Sequence, residues 1–183
     1  MWQDRLWGSV LLFFDVQPIA IKAYGGRRYS KKRLVLSRAQ KTYGLIYLFV
    51  AYEYNSGRRL WGFYHGKSSK YVCAFLKKVR SRYGKRKLRL ALDRDSPHPI
   101  KCARTRRQLR ALGIRWTSLP KGNPDDNPVE NIFSDVQQMV LDTSSDTDPA
   151  VTRRRISGHL QGCNRRPNRR IRVSYLEIPP KHR

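Results

Sequence analysis

The chain has 183 residues, enough for one domain with a real core. Hydrophobic residues make up 39%, which excludes a fully disordered chain. Lys and Arg number 39 against 13 Asp and Glu, and a net charge of +26 repels itself unless a polyanion is near, nucleic acid being the usual one.

In chain order, "SVLLFFDV" (9–16) is a continuous apolar run of the kind found in buried strands, ending near Asp15. "PIAIKAYGGRRYS" is a short extended piece broken by Gly25 and Gly26. A strand is predicted over 43–54, a turn at Asn55-Ser56-Gly57, and the returning strand of a hairpin over 59–64. A helix follows over 68–83, with Val72, Phe75, Leu76, Val79 and Tyr83 at helical spacing and Gly84 to end it. "LRLALD" (88–93) is a strand ending in Asp93, 105–112 a basic helix ended by Gly113, and 114–118 a further strand. From Asn127 a helix is predicted with Val129, Ile132, Phe133, Val136, Met139 and Val140 as its buried stripe. After Asp142 the composition becomes linker-like, then Arg-rich, with one basic helix expected around Ile156 and Leu160. The expected division is therefore a catalytic unit over 1–142 and a basic helix and arm over 143–183. Antiparallel strands followed by βαβ units predict an α/β fold with a mixed sheet flanked by helices.

Cys73, Cys102 and Cys163 lie far apart and form no Cys-x-x-Cys pair, so neither a disulfide framework nor a zinc ribbon is indicated, and a reducing cytoplasm fits. The apolar run before Asp15 is too short to span a membrane, and no membrane partner is expected.

Asp15 and Asp93 stand at the ends of apolar strands, and Glu130 on the first turn of the helix that begins at Asn127. Converging carboxylates need a compensating cation, and an all-oxygen set suits Mg2+ or Mn2+. Two such ions serve in-line phosphoryl displacement, a chemistry that matches a basic protein with an acidic pocket. A plainer reading stands beside this one. The two Asp residues also suit strand ends and turns, Asp95 competes with Asp93, and Asp125 and Asp126 suit a loop near a positive helix N-terminus. With Asn127 as N-cap and Pro128 first in the helix, Glu130 also occupies the capping-box position.

"LPKGNPDDNPVENIF" (119–133) resembles the third motif of DDE transposases of the mariner superfamily, in the prokaryotic insertion-sequence branch. "LALDRDSPHP" resembles the second motif, a strand ending in Asp with a His five positions on, which selects Asp93 and His98; "LLFFDVQPIAIKAYGGRRYS" resembles the first. The step of 37 positions from Asp93 to Glu130 is close to the family's interval, and the resemblance covers roughly residues 9 to 142. It implies an RNase H-like fold, Asp15, Asp93 and Glu130 as a catalytic triad holding two Mg2+ or Mn2+ ions, and His98 in support. The implied reaction is transposition: water cuts a phosphodiester at the element end, and the freed 3′-hydroxyl attacks target DNA. The implied partner is double-stranded DNA, at element ends and target, with a homodimer as the expected assembly and a cytoplasmic, nucleoid-associated location.

The chain departs from the family pattern in three places. Val16 stands where the family often has Glu, and the Arg-rich tail matches loosely. Fourteen residues precede Asp15, too few for the family's helix-turn-helix modules. A catalytic domain alone is expected, a truncated copy or one frame of a split gene with a separately encoded helix-turn-helix part. An inactive remnant that only coats nucleic acid and another RNase H-like nuclease are the competing readings. Phosphate contact is expected from Lys77, Lys78, Arg80, Arg82, Lys85, Arg86 and Lys87, and from Arg153, Arg154 and Arg155. Trp61 and Tyr64 suit either base stacking or hairpin packing.

Overall fold

The structure, a computed structural model, describes residues 8–22, 42–92, 102–119, 127–142, 144 and 146–165. Strands β1 (Ser9–Lys22), β2 (Thr42–Glu53) and β3 (Arg59–Tyr64) are followed by helix α1 (Ser69–Tyr83), β4 (Lys87–Leu92), α2 (Ala103–Ala111) and β5 (Ile114–Ser118). Helix α3 (Pro128–Val136) runs into a π-helical turn (Gln137–Leu141), and α4 (Pro149–Asn164) completes the described fold.

The five strands form one mixed sheet in the order β3-β2-β1-β4-β5. β1 is antiparallel to β2, and β2 to β3, while β4 runs parallel to both β1 and β5. Both faces are covered, which is why the strands read as unbroken apolar runs rather than alternating ones. Leu11, Phe13, Ile19 and Ile21 of β1 face one way, into a core closed by Val129, Ile132, Phe133 and Val136 of α3 and Ile156 and Leu160 of α4. Val10, Leu12 and Phe14 face the other way, into a core closed by Val72, Phe75, Leu76 and Val79 of α1 and Leu109 of α2. The Phe75 ring stacks on Phe14 at 5.4 Å and meets Phe49 at 5.7 Å. Left-handed glycines, Gly84 (φ 54°) and Gly113 (φ 60°), follow α1 and α2, as the sequence predicts.

Three expectations need correction. β1 does not stop near Asp15 but continues through Pro18 to Lys22, paired with β2. Met139 is not in the stripe of α3; it is 61% exposed, because the wider turn over Gln137–Leu141 (Asp142 N–H to Gln137 O, 2.8 Å) breaks the 3.6-residue phase. The segment before α4 reads as linker, yet Asp148 caps the helix by accepting from Ala150 N at 2.8 Å, with Pro149 as its first residue. It repeats the Asn127-Pro128 start of α3.

Candidate active site

Asp15 lies inside β1, the residue after Phe14. Phe14 pairs in parallel with Leu92 of β4, and Asp15 lies opposite Val50 of the antiparallel β2. Asp15 shares the strand parity of Leu11 and Phe13 and so faces α3. Its carboxylate is half-buried and doubly held: Oδ1 accepts from the Val16 N–H at 2.7 Å, and Oδ2 accepts from Asn127 Nδ2 at 3.3 Å.

Asn127 is 3% exposed and works in two directions. Its Oδ1 accepts from the Val129 N–H at 3.2 Å, capping α3, while its amide nitrogen donates to Asp15. One side chain thus fixes the N-terminus of α3, and with it Glu130, against the first aspartate. The cap role was legible in the sequence; the bond to Asp15, 112 positions away, had no sequence signal.

Glu130 is exposed on the first turn of α3, with its N–H bonded to Asn127 O at 3.0 Å. Its carboxylate makes none of the hydrogen bonds among the described residues, so the reciprocal capping-box bond to Asn127 is not formed. Instead Glu130 lines a cleft of about 350 Å³ with Gln17, Pro18 and Ile19 of β1 and Gln137 and Gln138 of the π-helical turn.

Asp93 and His98, like Asp95, Asp125 and Asp126, lie outside the described residues. The last described residue before Asp93 is Leu92, whose carbonyl accepts from the Leu119 N–H at 2.8 Å. Leu92, which precedes Asp93 in the sequence, and Leu119, eight positions before Asn127, are thus neighbours in the structure.

The basic residues divide between the two faces. Lys77, Lys78 and Arg82 project from α1, with Lys85, Arg86 and Lys87 exposed just beyond it. Arg80 donates to the carbonyls of Gly84 (2.7 Å), Arg86 (2.8 Å) and Gly113 (3.2 Å), tying the end of α1 to the end of α2. Lys78 Nζ donates to Trp61 O at 2.7 Å. Buried Glu53 accepts from the Tyr83 hydroxyl at 3.1 Å, with Arg86 at 3.9 Å; burial, then the Glu53 charge, pushes the Tyr83 hydroxyl well above the ordinary tyrosine range. Arg153, Arg154 and Arg155 ride on α4, on the same face of the sheet as Asp15 and α3. Arg155 is held by Asp146 at 2.6 Å and Ser144 at 2.8 Å, whereas Arg154 is exposed. Trp61 and Tyr64 serve packing: Trp61 Nε1 donates to Ser157 Oγ at 3.1 Å, and Tyr64 meets Phe49 edge-on at 4.6 Å.

A mixed sheet with this strand order, helices on both faces and an aspartate on its central strand define an RNase H-like protein. The catalytic core domain of BIV integrase has the same fold, with a TM-score of 0.52 at 18% identity, over 90% of this chain and 87% of that one. A chain of the simian T-cell lymphotropic virus intasome superposes with a TM-score of 0.52 at 15% identity, over 72% of this chain; the match spans only 39% of that longer chain. Comparison with curated proteins yields no sequence match. The family is shown by sequence: residues 10–151 match the DDE superfamily endonuclease family, and the chain belongs to it. It carries a DDE superfamily endonuclease domain.

Proposed function

We propose that the chain is the catalytic domain of a mariner-type DDE transposase of the prokaryotic insertion-sequence branch, cutting DNA at element ends and joining the freed 3′-hydroxyl to a target. The observation that carries this is the Asn127 bridge, which ties the start of the Glu130 helix to Asp15. The strand register adds to it. Phe14 pairs with Leu92, and Asp15 and Asp93 are the residues that follow them in the sequence.

Asp15, Asp93 and Glu130 are the proposed metal ligands, and their hard oxygen donors fit Mg2+ or Mn2+. Bound divalent ions would supply Lewis acidity to the attacking and leaving oxygens at phosphorus. The chain's own part is positioning. Val16 N–H and Asn127 Nδ2 fix the Asp15 carboxylate, while Glu130 lines the cleft. His98 is assigned a supporting role beside Asp93. The exposed cations Lys77, Arg82, Lys85, Lys87 and Arg154 are the proposed phosphate contacts. Among the described residues no helix is long and apolar enough to cross a membrane, and we assign the protein to the nucleoid-bearing cytoplasm.

The test is nicking of DNA in Mg2+ or Mn2+ by wild type and by Asp15→Asn, Asp93→Asn and Glu130→Gln. Each variant should lose cleavage by about 1000-fold or more and keep nonspecific DNA binding. A variant that nicks at the wild-type rate removes its residue from the triad, and no wild-type activity with either ion points to a remnant that only binds. Joining of a pre-cut 3′-hydroxyl end to a second duplex separates a transposase from a branch-cutting nuclease of the same fold.

A further inference from the structure

A second set of metal-ligating side chains lies away from Asp15 and Glu130. His159 and Cys163 stand four residues apart on α4 and so share one face. Asp135 reaches them from α3. Asp135 Oδ2 lies 2.7 Å from His159 Nε2, Cys163 Sγ lies 3.7 Å from the same nitrogen, and Sγ lies 4.0 Å from Oδ2. All three residues are half-buried, and the cysteine is free.

We propose that Asp135, His159 and Cys163 form a zinc site that pins α4 to α3. A triangle with edges of 2.7, 3.7 and 4.0 Å has a point about 2.1 Å from every corner, within a few tenths of an ångström of Zn–N, Zn–O and Zn–S bond lengths. Ideal tetrahedral bonding sets the donors about 3.3–3.6 Å apart, so mainly the Asp135–His159 edge must open. The Asp135 side chain, 42% exposed, has room to do so. The mixed oxygen, nitrogen and sulfur set selects Zn2+ over Mg2+, which requires oxygen. A thiol-based hydrolytic triad does not fit. It needs acid and thiol on opposite ring nitrogens, whereas both address Nε2 here. One proton on that nitrogen cannot serve both partners well, and a metal ion at the shared point serves all three. The remaining position is open to water. Zinc here would fasten the Arg-bearing helix to the helix that carries Glu130, a structural role separate from the carboxylate chemistry.

The test uses the full chain, stripped with a chelator and titrated with Co2+ as a spectroscopic stand-in, then with Zn2+. One equivalent should bind with a thiolate-to-cobalt charge-transfer band, be displaced by Zn2+, survive excess Mg2+, and raise the melting temperature. Cys163→Ser should abolish the band and weaken Zn2+ binding by about 100-fold or more. Asp135→Asn and His159→Gln should weaken it too, which keeps the test valid should Cys163→Ser misfold. Cys102→Ser and Asp15→Asn should retain the band, separating this site from the other cysteines and from the proposed nuclease site. The proposal is overturned if wild type shows no thiolate band, if the band persists in Cys163→Ser, or if Zn2+ stabilises Asp135→Asn as much as wild type.

Discussion

Asn127 carries two loads that substitution can separate. Asn127→Ala removes both the cap, costing about 1 kcal/mol, and the donor to Asp15. Asn127→Asp keeps a capping oxygen but sets a second, buried carboxylate against Asp15, so it should lower stability through repulsion and desolvation rather than through loss of the cap. Cleavage in the Asp variant should fall by about 10–100-fold, the range seen when a ligand loses its supporting bond. Unchanged cleavage with an unchanged melting temperature would remove Asn127 as a positioning residue. Asn127, Pro128 and Glu130 were legible as a helix start, because capping is a local rule; which carboxylate the Asn amide would meet was not, since that partner is remote in the chain.

At the scale of elements, most helices and strands follow from short-range chemistry. The hairpin of β2 and β3, the left-handed glycine after α1 and the prolines that open α3 and α4 are each written in a few adjacent residues. Packing then separates positions that share a helical period. Phe75→Ala should cost about 3–5 kcal/mol by urea denaturation, since the ring sits fully buried between Phe14 and Phe49. Met139→Ala, on the π-helical turn and 61% exposed, should cost less than about 0.5 kcal/mol. Equal destabilisation by the two would restore Met139 to the core stripe. Removal of the α4 cap by Asp148→Ala should cost about 1 kcal/mol, read as a lower denaturation midpoint.

For the molecule as a whole, charge governs response to salt and acid. On the proposed reading, log K for DNA falls linearly with log salt, and replacing Lys85 and Lys87 by Gln should flatten the slope by about 0.9 for each phosphate no longer neutralised. An unchanged slope would exclude that face, leaving the α4 face that Arg154 shares with Asp15. In acid, hydrogen bonding from Ser144, then pairing with Arg155, holds the Asp146 carboxyl below its ordinary range. A lowered folded pKa contributes stability that is complete above the unfolded value and is lost as pH falls through the folded one, so the loss begins below about pH 4. Melting temperatures between pH 6 and pH 3 should therefore fall less in Asp146→Asn than in wild type, and parallel curves would exclude this pair as a source of acid sensitivity. The sequence alone determined a basic α/β protein, its strand and helix starts, and a set of candidate carboxylates, because period, capping and turn chemistry act over a few residues. Only the tertiary structure decided that Asp15 lies inside a long strand paired to β2, that Asn127 joins it to the Glu130 helix, and that Asp135 meets His159 and Cys163. Those contacts depend on sheet register and helix docking, which arise from burial summed over the whole core rather than from any local pattern.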